Sequence, residues 1–175
     1  MSVIKANEIQ DLNGNVILNT NNRIKFLQVV SVETTQEVQS NVFQSYYDLA
    51  TSVSLTTVGE NSSFFIIGYT GSAGAVGTIC RVNLGFSVTN GSTTTRISGV
   101  DSSLGDSWGS NAAISATGVT LNRSTLWTPN TQINSNVTLT FNLLGGAYDT
   151  TSGTVFWNRA PYSHNTTITV MEFAA

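Results

Sequence analysis

Charge is scarce in this chain: Lys, Arg, Asp and Glu make up 10% of its 175 residues, against about 25% in an ordinary soluble domain. The seven Lys and Arg are scattered singly and the formal net charge is -3. No basic stripe is available to neutralise phosphates, which argues against nucleic acid as a partner. One cysteine, Cys80, excludes an intrachain disulfide framework. In the run TICRV it reads as a small buried strand residue. One histidine, His164, with no cysteine partner and no motif, reads as a loop residue bonded to backbone rather than a base. Long apolar runs are missing as well. The longest, at 64–67, and shorter ones such as 143–144 fall far below the roughly 20 residues of a spanning helix, and no charged-then-apolar leader precedes them. The expectation is a protein made and used outside the secretory route, without a membrane.

Hydroxyls and amides are plentiful instead. Ser (21), Thr (25) and Asn (18) account for 64 of the 175 residues, so solubility comes from neutral polar groups. Disorder requires low hydrophobicity with high net charge, whereas 40% of this chain is hydrophobic. A chain of this length fits one domain with a short appendage and can bury about two thirds of its unfolded surface.

β-branched and aromatic residues recur in short alternating runs, and turn residues separate them at about 8 to 12 residues. The pattern predicts strands over 3–9, 16–18, 24–33, 44–58, 63–69, 78–89, 93–99, 112–121, 136–144, 153–157 and 166–173. No run keeps the helical period of about 3.6 residues over three turns. Asn13-Gly14 and Asn90-Gly91 are the two strong hairpin turns. The glycine- and serine-rich stretches 71–77, 99–111 and 145–153 are predicted to be exposed loops. Many antiparallel strands without helical crossovers imply an all-β fold, an antiparallel jelly-roll-like β-sandwich preceded by an N-terminal β-hairpin arm. The polar run 19–22 marks the boundary between an arm over 1–22 and a sandwich over 23–175. No fixed-period repeat suggests a solenoid or propeller.

The opening segment has two mixed faces: Val3, Lys5, Asn7 and Ile9 alternate with Ile4, Ala6, Glu8 and Gln10. An isolated two-stranded hairpin is marginal in water. Val3, Ile4, Ile9, Val16, Ile17 and Leu18 are therefore the candidate contacts with a partner or with further copies of the chain.

Chemistry is hard to assemble from what remains. Asp101, Asp106 and Asp149 are acidic loop residues, but nothing in the sequence brings carboxylates to opposite sides of a sugar, and the spacing of a calcium loop is absent. The glycines match neither phosphate-binding signature. Catalytic, cofactor and metal sites are not expected, nor is enzymatic activity. The Asn-x-Ser/Thr matches at Asn61, Asn90, Asn122, Asn136 and Asn165 read as chance in an Asn/Thr-rich chain. Trp108, Tyr148 and Asp149, on glycine-rich stretches, are the candidate contacts with a ligand or host surface, because loop aromatics stack on sugar rings or anchor interfaces. Trp127 and Trp157 read as core or interface residues.

Both ends of the chain carry a resemblance. The opening S-x-I-K-A-N-x-I-x-D-x-x-G-N, residues 2–15, and the ending TTITVMEFAA, residues 166–175, are similar to the termini of small virion proteins of tailed phages that infect marine bacteria and cyanobacteria. Between the ends, only the pattern of Ser/Thr-rich strands is shared. The resemblance implies a non-catalytic, homotrimeric, β-rich structural protein on the exterior of a phage particle, made in the host cytoplasm. Its partners would be its own copies and the major capsid protein or another virion protein. Capsid decoration, as a cement protein, is the first expectation. The receptor-binding tip of a short tail fibre, contacting a host-surface glycan, is the alternative, and a soluble carbohydrate-binding module a remote one.

Overall fold

The computed structural model describes residues 8–10, 16–19, 25–42, 45–77, 80–98, 113–114, 119–148, 152–158 and 165–174. Among these, every regular element is a strand. β1 (Glu8–Gln10) and β2 (Val16–Asn19) form a two-stranded antiparallel ladder with Ile9 opposite Leu18, the hairpin expected at the start of the chain. The Asn13-Gly14 turn, Val3 and Ile4 lie outside the described residues. The first large sheet contains β3 (Lys25–Thr34), β4 (Val38–Ser40), β6 (Ser63–Val76), β10 (Val119–Trp127), β12 (Thr154–Trp157) and β13 (Thr166–Ala174). The second contains β5 (Ser45–Thr56), β7 (Cys80–Asn90), β8 (Thr93–Ser98), β9 (Ala113–Ile114) and β11 (Thr138–Tyr148).

The registers reduce this inventory to two four-column sheets. β6 pairs β13 through its first half and β12 through its second, while β10 runs along its other edge. β12 and β13 therefore form one column, interrupted by residues 158–165. β4 and β3, which pair β12 and β13 in turn, form the next. The first sheet then reads β3, β13, β6, β10, and the second reads β5, β11, β7, β8. Along the chain β4, β5, β6 and β7 alternate between the two sheets, as do β9, β10, β11 and β12, and β7 to β8 is a local hairpin within the second sheet. That interleaving is the double Greek key of a jelly roll, as the strand pattern predicted.

Turn chemistry explains the β7–β8 hairpin. Asn90 pairs with Thr93, leaving Gly91 and Ser92 as a two-residue loop. Gly91 has φ +58° and Ser92 does not share a positive φ, the signature of a type II′ turn with glycine at its first position.

Besides β4, a short strand that the pattern did not predict, three segments depart from the sequence expectation. Residues 71–76 of the predicted loop are strand, the second half of β6. Between Thr70 and Ala73 the register to β10 slips, so two residues, Gly71 and Ser72, face one. This bulge reverses which alternate residues point inward, and a periodicity reading ends the strand there. Of the strand predicted over 112–121, residues 113–114 form β9 and 119–121 begin β10, which continues to Trp127. Its inward positions include Arg123 and Thr125, which disguise the alternation. Strand β11 continues through Gly145 and Gly146 to Tyr148, so the predicted loop over 145–153 begins later.

The core lies between the sheets. Leu49, Val53 and Leu55 of β5, Leu139, Phe141 and Leu143 of β11, and Val82, Leu84, Phe86 and Val88 of β7 face Phe64 and Ile66 of β6 and Ile168 and Val170 of β13. At one end Phe64, Trp127 and Phe141 pack ring against ring with centroids 5.4 to 5.9 Å apart, joining three strands of two sheets. Gly68 is an inward position whose missing side chain is filled by neighbours: a Cβ there would lie 2.5 Å from Leu143 Cδ1 and 2.7 Å from Phe86. Trp157 is buried and its Nε1 donates to the Tyr47 hydroxyl at 2.5 Å. Trp157 is thus a core residue, and Trp127 is half-buried and packs against the core.

Candidate interaction surfaces

With both inner faces committed to the core, function falls to the outer faces and strand ends. The abundance of Ser and Thr has a direct structural role there. Hydroxyls meet across neighbouring strands at Ser31–Thr169 (2.8 Å), Ser54–Thr140 (2.8 Å), Ser63–Thr128 (2.8 Å) and Thr89–Thr94 (2.9 Å). Each pair stitches a ladder while leaving the surface polar and uncharged.

The outer face of the first sheet breaks this polarity. Val29 pairs with Met171, Met171 with Phe65 and Phe65 with Leu126, so one apolar row crosses β3, β13, β6 and β10. Paired residues share a face, and the inward burial of Phe64, Ile66 and Val170 assigns this row to the outside. Beside it the Phe26 and Phe173 rings pack edge to face at 5.7 Å. Leu126 is 65% exposed, Phe26 52% and Val29 50%, so the patch is open to solvent in the single chain. Contiguous exposed apolar rows of this kind mark interaction sites.

On the outer face of the second sheet lies a groove of about 500 Å³, lined chiefly by hydroxyl, amide and charged side chains. Asn142 and Ser87, on its floor, are hydrogen-bonded at 3.3 Å. The Arg96 guanidinium sits 5.3 Å from the centre of the Tyr46 ring. Asp48 accepts the Ala50 N–H at 2.7 Å, holding a bulge in which Ala50 takes φ +54°.

A third cluster is structural. The Glu172 carboxylate, wholly buried, accepts hydrogen bonds from Ser62 Oγ (2.6 Å), Gln28 Nε2 (2.5 Å) and the N–H groups of Val58 (3.0 Å) and Gly59 (3.1 Å). Burial pushes its pKa up; the hydrogen bonds from Ser62, Gln28, Gly59 and Val58 outweigh that and hold it below the ordinary glutamate value. The last strand is thereby tied to the turn that follows β5.

Of the residues singled out in sequence, Ile9 lies on β1 and Val16, Ile17 and Leu18 on β2. Tyr148 ends β11, the strand that floors the groove, paired with Arg81. Trp108, Asp149 and His164 lie outside the described residues. Among the described residues no group of three or more His, Cys, Asp or Glu is placed to hold a metal ion. Tyr46, Asp48 and Arg96 carry no motif, and only the apposition of β5 and β8 across one sheet brings them together.

No protein-family model matches the chain, and no curated protein matches it. Among solved structures, a chain of the infectious bursal disease virus Gx strain is similar over 83% of this chain at 8% identity, with a TM-score of 0.35. A chain of the Gt strain of the same virus is similar over 98% at 10% identity, also with a TM-score of 0.35. This chain spans 36% and 43% of those two chains. Likeness at that level assigns no function.

Proposed function

We propose that this chain is a non-catalytic structural protein of a phage particle, a homotrimer on the particle exterior that decorates the capsid. The observation that carries the reading is the apolar row Val29, Met171, Phe65, Leu126, which a chain working alone would leave in water. Its occupant is a second copy of the same chain. The row and the flanking Phe26 and Phe173 include no charged residue, so a different surface of a neighbouring copy can cover them without burying an unpaired charge within the patch, and a closed three-fold ring of such head-to-tail contacts covers the same patch on every copy. The family-like termini support placement on a virion, and the jelly roll is an architecture that capsid and lectin domains share. In this reading the N-terminal hairpin, through Ile9, Val16, Ile17 and Leu18, together with Val3 and Ile4, attaches to the major capsid protein or another virion protein.

Two measurements test it. Light scattering on the purified chain at micromolar concentration should give three times the 18.6 kDa monomer mass, and a stable monomer sinks the trimer. Quantitative labelling of purified particles should count on the order of hundreds of copies, as a shell with many equivalent positions requires. A few tens or fewer would place the protein at a tail-fibre tip instead.

A further inference from the structure

We infer that the groove on the outer face of the second sheet is a binding site for a neutral saccharide. The inference is independent of the virion reading, which rests on the opposite sheet.

Tyr46 belongs to β5 and Arg96 to β8, the two edge columns of the sheet. Three inter-strand spacings separate those columns, roughly 14 Å. The side chains nevertheless approach to 5.3 Å, so both lie inward over β11 and β7 instead of extending off the edges. They arch over a floor made by Asn142 and Ser87, which the ladder places directly opposite one another. The result is a concave, polar and open site on the outer face of the sheet.

The charges in the groove select its ligand. Asp48 uses one carboxylate oxygen for the Ala50 N–H, and among the described residues its other oxygen has no partner. Among the same residues Arg96 makes no hydrogen bond or ion pair, only its contact with the Tyr46 ring. A strong acceptor and a strong donor therefore line one groove without neutralising each other. An anionic ligand would meet Asp48 and a cationic one Arg96. An apolar ligand would cover the floor of Asn142 and Ser87, whose one mutual hydrogen bond leaves the rest of their donors and acceptors to be desolvated at a cost. A neutral ligand with many hydroxyls satisfies all four: it donates to Asp48, accepts from Arg96 and Asn142, and exchanges with Ser87. Its C–H faces suit the Tyr46 ring and Leu144 at the groove wall. Sugars combine those features, and shallow open sites bind them through several modest contacts.

The test uses the full chain and a panel of neutral oligosaccharides beside sialylated and sulfated ones, read by saturation-transfer NMR and calorimetry. At least one neutral oligosaccharide should bind, and Arg96→Ala and Asn142→Ala should each weaken it roughly tenfold, the loss of about one charged or two neutral hydrogen bonds. Asp48→Asn, which can still accept from Ala50, should weaken it less while leaving the unfolding midpoint in place. Binding of only the acidic members, of no member, or binding untouched by the Arg96 and Asn142 substitutions would overturn the site.

Discussion

The Ser62 hydroxyl donates to the buried Glu172 carboxylate at 2.6 Å, fastening the turn after β5 to the last strand of the other sheet. Gln28 adds a donor from β3 and also donates to the Thr56 carbonyl at 2.7 Å, so one carboxylate organises three segments. Glu172→Gln keeps the size but replaces an acceptor oxygen by an NH₂ facing existing donors. It should cost about 2 to 3 kcal/mol, measured as a lower urea midpoint at unchanged slope.

The same carboxylate predicts acid sensitivity. Its folded pKa is depressed, so its contribution is complete above the unfolded value of about 4.3 and is lost as pH falls through the folded value. Unfolding curves measured from pH 6 downward should show wild type losing stability in that acidic range, and Glu172→Gln should lack that part of the loss. Parallel pH profiles of the two proteins would contradict the assignment.

Gly68→Ala should destabilise the sandwich by about 1 to 3 kcal/mol through overpacking, because its Cβ would strike Leu143 and Phe86. Combining it with Leu143→Val, which withdraws the clashing methyl, should cost less than the sum of the two single changes. Simple additivity in the double-mutant cycle would show that the clash is relieved elsewhere.

Gly91→Ala meets no atom within 4 Å, so its cost is backbone strain alone at φ +58°. About 1 kcal/mol is expected, and Gly91→Asn should recover part of it because Asn tolerates a left-handed backbone. Thermal unfolding of the two variants distinguishes this from a packing effect, which would penalise the larger Asn more.

Leu126→Thr removes the most exposed member of the apolar row. Stability of the single chain should move by no more than about 0.5 kcal/mol, since the side chain is mostly in water already. Self-association should weaken markedly in sedimentation at the same concentration. An unchanged assembly would move the contact off this face.

Much of the fold was legible from local chemistry. The buried alternation of Leu49, Thr51, Val53 and Leu55 predicts β5, and Asn90-Gly91 predicts the β7–β8 hairpin to within one residue of the turn. The bulge at Gly71–Ser72 was not legible, because a change of inward phase looks like the end of a strand. Nor was β10, where Arg123 occupies an inward-facing position because its guanidinium donates to the Leu84 carbonyl at 2.8 Å. A charged residue at an inward position conceals a strand until its partner on the other sheet is known.

Period-two patterning, turn residues and the scarcity of charge were sufficient for an all-β, antiparallel, sparsely charged sandwich, since each acts over a few neighbouring residues. Which strands became neighbours was a tertiary matter. Pairing β13 with both β3 and β6 aligns Val29, Met171, Phe65 and Leu126 into one row. Placing β5 and β8 at the edges of one sheet brings Arg96 over Tyr46 across fifty positions of sequence. Both surfaces arise from cross-strand register, which long-range packing selects and no local window contains.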